Sequence, residues 1–135
     1  KFEILIKKYT EKLGANATVL SKNQHGKKDY ADADVVAFFD NIKVAILIQA
    51  KHHNGETNGW AVEQIDNYKK QLEDPNYELD LDADNYTYIP WVISTCEDFS
   101  DEAKNKAKDC KIRLINGKEF ARMILEQGLQ NIDLE

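Results

Sequence analysis

The stretch that decides the fold is "DVVAFFDNIKVAILIQAK", residues 34–51. Its first part, residues 34–39, is rich in β-branched and aromatic residues, which favours a strand. Asp40 and Asn41 tolerate the positive φ angles of a two-residue hairpin turn. The run "VAILI" that follows is apolar without alternation, as expected of a strand covered on both faces. We therefore predict a β-hairpin whose second strand, residues 42–51, is buried between two layers.

The predicted hairpin places several polar side chains on one face. With Asp40-Asn41 as the turn, residues whose numbers add up to 81 lie opposite each other, so Asp34 faces Leu47. Because side chains alternate along a strand, Leu47, Gln49 and Lys51 share that face. Gln49 is then a diagonal neighbour of Asp34, with Cα atoms about 7–8 Å apart. A carboxylate and an amide oxygen at this separation can share one hydrated Mg²⁺, with Lys51 one step further along.

This face predicts phosphodiester chemistry. A cation held by Asp34 and Gln49 would stabilise charge on a phosphoryl oxygen, and Lys51 would orient or help deprotonate the attacking water. Simpler interpretations remain open, because an aspartate at a strand start is commonly a loop-end residue and a strand-end lysine commonly extends into solvent. However, charged residues at the end of a doubly covered strand need a reason, which favours a site.

The rest of the chain alternates between helical and strand patterns. Apolar residues at helical spacing predict four helices, at 2–13, 58–72, 100–109 and around 120–125. Further strands are predicted at 17–21, 88–95 and 111–115. Asn116-Gly117 is expected to form a turn before the last helix. The resulting order, αβββαβαβα, predicts an α/β fold with a mixed sheet and helices on both sides.

Length and composition predict a single domain over residues 1–135, with the acidic segment 73–88 as a loop or insertion. The net charge is −6, yet residues 1–28 hold seven lysines and two glutamates, whereas residues 73–102 hold ten acids and no Lys or Arg. This segregation weakens the overall acidity as an argument against nucleic acid. The chain begins with Lys1 rather than Met, as a piece of a longer protein would.

Several features predict a cytoplasmic protein. No apolar run approaches the roughly 20 residues that span a bilayer, and the N-terminus lacks a signal-peptide pattern, so we expect no membrane association. The two cysteines, Cys96 and Cys110, are expected to be free thiols in a reducing compartment.

The ordered motifs resemble the Mrr-type restriction endonuclease catalytic domain of the PD-(D/E)xK nuclease superfamily. Phe2-Glu3 begins the first helix, a loop around Gly26 follows, and "DVVA" at 34–37 precedes Gln49-Ala50-Lys51. The resemblance continues in "WVIST", "FSDEAKNKA" and "IRLINGKEFARMI", and it covers nearly the whole chain. It implies a restriction-endonuclease-like three-layer α/β/α fold and Mg²⁺-dependent DNA cleavage, with Mn²⁺ as an alternative cofactor.

The resemblance also implies residue roles. Asp34 would be a metal ligand, and Gln49 takes the place that Glu or Asp holds in most of the superfamily. The backbone carbonyl of Ala50 would be a further ligand, and Lys51 the catalytic lysine. Glu3 matches an acid that often helps to bind the metal, although an acid there also suits the helix dipole.

Where such nucleases commonly have a glycine-rich loop, this chain has "DYADAD", residues 29–34, which leaves Asp29 and Asp32 as competing acids. Candidate DNA contacts are the loop lysines, the hydroxyls at the end of a strand and a histidine after Lys51: Lys22, Lys28, Ser94, Thr95 and His53. Lys27 belongs to the same lysine-rich loop, which could equally be solvated.

The resemblance implies a bacterial or archaeal restriction enzyme, with modified DNA as one candidate substrate. We expect a homodimer, because cutting two strands calls for two sites, and a separate DNA-recognition domain outside this chain. Two alternatives remain open at this stage. One is a catalytically inactive DNA- or protein-binding module on the same fold, and the other is a structure-specific repair or junction nuclease.

Overall fold

The computed structural model describes residues 1–52, 55–77 and 85–128. Within this part of the chain it contains four helices and seven strands, which follow in this order: α1 (Phe2–Lys12), β1 (Asn16–Val19), β2 (Val35–Phe39), β3 (Val44–Lys51), β4 (Glu56–Thr57), α2 (Trp60–Glu73), β5 (Thr87–Ser94), β6 (Asp98–Phe99), α3 (Asp101–Cys110), β7 (Arg113–Ile115) and α4 (Gly117–Glu126). The two-residue strands β4 and β6 are additions to the predicted order.

Five strands form one mixed sheet in the spatial order β1-β2-β3-β5-β7. The first three are antiparallel neighbours, whereas β3, β5 and β7 run parallel. The short strands β4 and β6 pair with each other in a separate parallel ladder. Strand β3 therefore lies at the centre of the sheet, and six of its eight residues are buried, as its apolar sequence predicts.

Helices cover both faces of this sheet. Ile6 and Tyr9 of α1 and Phe120 of α4 belong to the apolar cluster on one face. On the other face, α2 and α3 contribute a second cluster that includes Val62 and Ala103. The predicted three-layer α/β/α architecture with a mixed central sheet is confirmed.

The predicted two-residue hairpin turn is wrong. Phe39 pairs with Val44, so residues 40–43 form the turn and the opposed pairs add up to 83 rather than 81. Lys43 is the turn residue with positive φ (54°), and its carbonyl accepts a hydrogen bond from the Thr87 N–H at 2.8 Å. The start of β5 therefore shapes this turn. Because the register shifts by two residues, every side chain keeps its predicted face.

Two helix starts follow their capping residues. Ser100 Oγ accepts a hydrogen bond from the Ala103 N–H at 3.1 Å, so Ser100 caps α3 at the start of the predicted helix 100–109. The side chain of Asn116 accepts from the Glu119 N–H at 2.9 Å, so Asn116 caps α4 and Gly117 is its first residue. The prediction of a turn at Asn116-Gly117 is corrected to a helix N-terminus.

The acidic segment is only partly described. Helix α2 continues to Glu73 and β5 begins at Thr87, so the connection is shorter than predicted at its start, and residues 78–84 lie outside the described part of the chain. Cys96 and Cys110 are both free thiols, as predicted. None of the helices in the described ranges combines the length and apolarity that a bilayer span requires.

Candidate active site

Asp34 lies directly before β2 and is bonded to the end of β3. Its backbone N–H donates to the Ile48 carbonyl at 2.8 Å, and its carboxylate Oδ2 accepts from the Ala50 N–H at 2.8 Å. A carboxylate that accepts a backbone N–H bond is held in one orientation. The structure therefore brings Asp34 together with Gln49-Ala50-Lys51, as the sequence predicts.

The Gln49 side chain is fully buried and its amide orientation is determined by two partners. Its Nε2 donates to Asp32 Oδ2 and to Gln64 Oε1, each at 3.0 Å. Its Oε1 is buried and accepts no hydrogen bond from any described residue. Leaving a buried acceptor unpaired costs about 1–3 kcal/mol. This buried, oriented amide oxygen is therefore free to accept from an ordered water or to bind a cation.

Lys51 and Gln49 are joined through a residue that the sequence analysis missed. Gln64 Oε1, which accepts from Gln49, also accepts from Lys51 Nζ at 3.1 Å. Gln64 Nε2 donates to the Asp29 backbone carbonyl at 2.9 Å, and the residue is only 7% exposed. The sequence contained a signal that Gln64 is buried, because Gln64 lies three residues after Ala61 and four before Tyr68, on the same buried face of α2.

The loop before β2 brings an acid and a lysine into the same cluster. Lys27 Nζ lies 3.3 Å from Asp32 Oδ1 and 3.6 Å from Asp34 Oδ1, and it donates to the Leu20 carbonyl at 3.1 Å. The Lys27 side chain is 8% exposed. Of the two competing acids, Asp32 contributes its carboxylate to the site, whereas Asp29 contributes a backbone carbonyl.

Burial raises the pKa of Asp34 above its ordinary value. The Ala50 N–H bond opposes this rise in pKa, the nearby charge of Asp32 adds to it, and the ammonium groups of Lys27 and Lys51 lower it. Desolvation is the largest of these effects, so the Asp34 carboxylate is less stable here than in water, and a further positive charge would stabilise it.

The donor set fits a hard divalent cation. Asp32, Asp34 and the unpaired Gln49 oxygen all offer the oxygen ligands that Mg²⁺ and Mn²⁺ prefer. Within the described ranges no group of three or more His, Cys, Asp or Glu residues is arranged to hold a metal, so the two carboxylates do not form such a group by themselves. The Ala50 N–H is bonded to Asp34, and a ligand role for the Ala50 carbonyl stays a prediction.

The predicted DNA-contacting residues fall into two places. Lys22 and Lys28 line a cavity of about 260 Å³ together with Asp34 and Gln64. Thr95 lines a different cavity, of about 590 Å³, between the N-termini of α1 and α4.

The Ser94 side chain is fully buried beside this second cavity. Its Oγ shares a 2.7 Å hydrogen bond with Thr57 Oγ1 and accepts from the Cys96 N–H at 3.1 Å. Its hydroxyl therefore has partners within the protein, and a contact with phosphate stays a prediction. His53 lies outside the described residues.

Glu3 lies in the first turn of α1, the helix that packs on the sheet face opposite α2. Its carboxylate lies 3.6 Å from the N-terminal ammonium of Lys1. In the ranges that the structure describes, no hydrogen bond or ion pair joins it to the Asp34 cluster, so a metal role for Glu3 stays a prediction.

A mixed sheet between two helical layers, with an Asp at the start of one strand and Gln-x-Lys at the end of its neighbour, defines a restriction-endonuclease-like domain. In agreement, the family model of the Mrr catalytic domain, described as restriction endonuclease, matches residues 1–124. The chain therefore belongs to the Mrr catalytic-domain family of restriction endonucleases, as the sequence motifs indicated.

Two solved structures share this fold. One, AF1548, is a protein of unknown function with 23% identity and a TM-score of 0.61, and the alignment covers 97% of this chain and 67% of that one. The other is the MspJI restriction endonuclease in complex with a 27-mer oligonucleotide, with 18% identity and a TM-score of 0.55. Its alignment covers 99% of this chain and 29% of the MspJI chain. The sequence has no significant match among curated proteins.

Proposed function

We propose that this domain is a Mg²⁺-dependent DNA endonuclease of the Mrr-like restriction type, with Mn²⁺ able to replace Mg²⁺. The observation that carries the proposal is the buried, unpaired Gln49 Oε1, fixed beside two carboxylates and next to Lys51. Packing of the protein core does not require a buried, unpaired oxygen, and leaving this oxygen unpaired costs free energy unless a ligand binds to it. Membership of the restriction endonuclease family supports this reading.

The residues of the site have distinct roles in this proposal. Asp34, Asp32 and Gln49 would hold the cation through side-chain oxygens, with the Ala50 carbonyl as a further donor. The cation would supply charge stabilisation to a phosphoryl oxygen and lower the pKa of the attacking water. Lys51, held by Gln64 at 3.1 Å, orients that water and offers its ammonium to charge that develops on the phosphate.

The loop lysines Lys22 and Lys28 would bind DNA phosphates on one side of the site. Lys22 and Lys28 line the cavity that also contains Asp34, so phosphates bound there would lie beside the catalytic carboxylate. Phosphate contacts of this kind position DNA without reading its sequence. We therefore assign the choice of target sequence to another domain of the full-length protein. The alignment with MspJI likewise covers only 29% of the MspJI chain. Modified DNA remains one candidate target, and a homodimer supplies one site for each strand.

Cleavage of plasmid DNA tests the proposal. We expect the wild type to cut with Mg²⁺ and not with EDTA, and Lys51→Ala to lower the rate by about 10²–10⁴-fold, the usual contribution of a positioned acid–base group. Lys70→Ala is the matched control, because Lys70 is an exposed lysine on α2 that pairs with Asp66 at 2.9 Å. Unchanged cutting by Lys51→Ala, with Lys70→Ala also unchanged, would remove the proposed mechanism.

A second candidate function is an inactive DNA- or protein-binding module. The observation that favours it is the Lys27 ammonium between the two carboxylates, which gives both a counter-charge without a metal. Absence of cutting by the wild type on methylated, unmethylated and branched DNA, together with absence of Mg²⁺ binding, would select this module. Cutting confined to branched DNA would instead indicate a junction nuclease.

A further inference from the structure

Lys27 occupies a fixed position inside the site. Its loop is anchored to α2, since Tyr68 donates its hydroxyl to the His25 carbonyl at 2.6 Å and Asn67 Nδ2 donates to the Tyr30 carbonyl at 2.8 Å. The ammonium of Lys27 contacts three oxygens at 3.1–3.6 Å, and its side chain is 8% exposed. A lysine that is nearly buried and surrounded by oxygens acts as a bound cation rather than as a surface charge.

In Asp32 and Asp34 the two carboxylate oxygens have the same two kinds of partner. Asp32 uses Oδ2 to accept from Gln49, and Asp34 uses Oδ2 to accept from the Ala50 N–H. In both, the other oxygen, Oδ1, faces the Lys27 ammonium. One oxygen of each acid is therefore bonded to β3, and the oxygen that remains for a cation is already paired with Lys27.

A divalent cation and Lys27 compete for these two oxygens. Mg²⁺ requires ligand oxygens at about 2.1 Å, so its charge would fall within a few ångströms of the present ammonium position. Two positive centres at such a separation repel strongly in a partly buried site. The cation can therefore use Asp32 Oδ1 and Asp34 Oδ1 only after Lys27 has moved away.

We propose that Lys27 is a tethered competitor for the divalent-cation site, which holds the two carboxylates in the metal-free protein and leaves when the cation binds. This inference rests on the proposed nuclease function, because it assumes the cation site at Asp34 and Gln49. Lys27 and both acids line a cavity of about 260 Å³ that also contains Lys22 and Lys28, so the displaced ammonium has room to move within it. Cation binding would thus add positive charge to the side from which DNA approaches.

Calorimetric titration of the protein with Mg²⁺ alone, without DNA, tests this competition. Lys27→Met keeps the length of the side chain and removes its charge, and we expect it to tighten Mg²⁺ binding about tenfold, the effect of ~1.4 kcal/mol of relieved competition. Lys27→Arg keeps a cation and should retain the weak wild-type affinity. Lys70→Met removes an exposed lysine charge on α2, outside this cavity and paired with Asp66 at 2.9 Å, and it should change the affinity less than threefold.

A second readout protects the test against misfolding. In the absence of divalent ions Lys27→Met should unfold at a lower temperature than the wild type, because two neighbouring carboxylates lose their counter-charge, and Mg²⁺ should raise its Tm more than it raises the wild-type Tm. Lys27→Gln replaces it if Lys27→Met does not fold.

Three outcomes are distinguishable. A gain in affinity for Lys27→Met alone supports the competitor role. Equal or weaker Mg²⁺ binding by Lys27→Met, with binding abolished in Asp34→Asn, overturns the competitor role and leaves the cation site intact. Failure of both the wild type and Lys27→Met to bind Mg²⁺, with Asp34→Asn indistinguishable from them, overturns the proposed function and this inference together.

Discussion

Replacement of Gln64 by leucine tests the polar network most sharply. Leucine has a similar volume, so the change removes hydrogen bonds without opening a large cavity. Three hydrogen bonds are lost. Gln49 Nε2 and Lys51 Nζ lose their acceptor, Gln64 Oε1, at 3.0 and 3.1 Å, and the Asp29 carbonyl loses its donor, Gln64 Nε2, at 2.9 Å. Neutral bonds contribute about 0.5–1.5 kcal/mol each and bonds to charged groups about 1.5–3. Because water can replace part of the Lys51 bond, we expect a loss of roughly 2–4 kcal/mol in the free energy of unfolding.

The same change should lower the rate of DNA cleavage by about 10–100-fold, the usual effect of losing a residue that orients a metal or catalytic ligand. Asn67→Ala is the matched control. Asn67 lies on the same helix and donates to the same loop, at the Tyr30 carbonyl, but its half-buried side chain contacts neither Gln49 nor Lys51 within the described hydrogen bonds. We expect it to cost under about 1 kcal/mol of stability and to leave cleavage within a few-fold of wild type.

Urea denaturation followed by fluorescence measures the stability of each variant, and cleavage of supercoiled DNA in Mg²⁺ measures the rate. Gln64→Glu refines the test, because a carboxylate still accepts from Gln49 and Lys51 but cannot donate to the Asp29 carbonyl. It should therefore retain more activity than Gln64→Leu at a comparable loss of stability. If Gln64→Leu slowed cleavage no more than Asn67→Ala, orientation of Lys51 and Gln49 by this residue would be refuted.

Three further predictions concern stability in the absence of divalent ions. Asp34→Asn should raise the free energy of unfolding at pH 8 but not at acidic pH. Burial raises the pKa of Asp34 in the folded protein, so between the unfolded and folded pKa values the folded wild type binds more protons, and its stability falls as pH rises through that range. Urea titrations of both proteins at several pH values measure this difference. Gly117→Ala should destabilise by about 1–3 kcal/mol in thermal unfolding, because a Cβ there would lie 2.7 Å from the Thr95 carbonyl oxygen, and unchanged stability would contradict this close packing. Ser100→Ala should cost about 1 kcal/mol through loss of the α3 cap, whereas Ser100→Asp, which can also cap, should cost less in the same assay.

The sequence predicted the layers and the shared face of Asp34, Gln49 and Lys51 because both depend on periodicity. Alternation along β3 survives a register shift of two residues, so an incorrect turn did not disturb the site. The turn itself could not be predicted, because the Lys43 carbonyl bonds to Thr87 on a strand far along the chain. Local turn propensity was overridden by a tertiary contact.

The sequence indicated Asp32 as a competing acid and Lys27 as a loop lysine, but it could not predict that the two meet at Asp34. Lys27 and Asp32 belong to a loop whose path is determined by hydrogen bonds to α2, at Gln64, Asn67 and Tyr68, and such contacts leave no periodic signal. Ser94, in contrast, looked like a free strand-end hydroxyl, yet it bonds within the protein to a residue of β4, a strand too short to predict.

The central claim is that Asp34 and Gln49 hold a divalent cation beside Lys51. Crystals of the protein soaked in Mn²⁺ test it most directly, because anomalous scattering locates the ion independently of any assumption about its ligands. The account predicts an ion bonded to Asp34 Oδ1 and Gln49 Oε1, with the Lys27 ammonium moved from between the carboxylates. An ion bound elsewhere, with Lys27 still paired to Asp32 and Asp34, would contradict it.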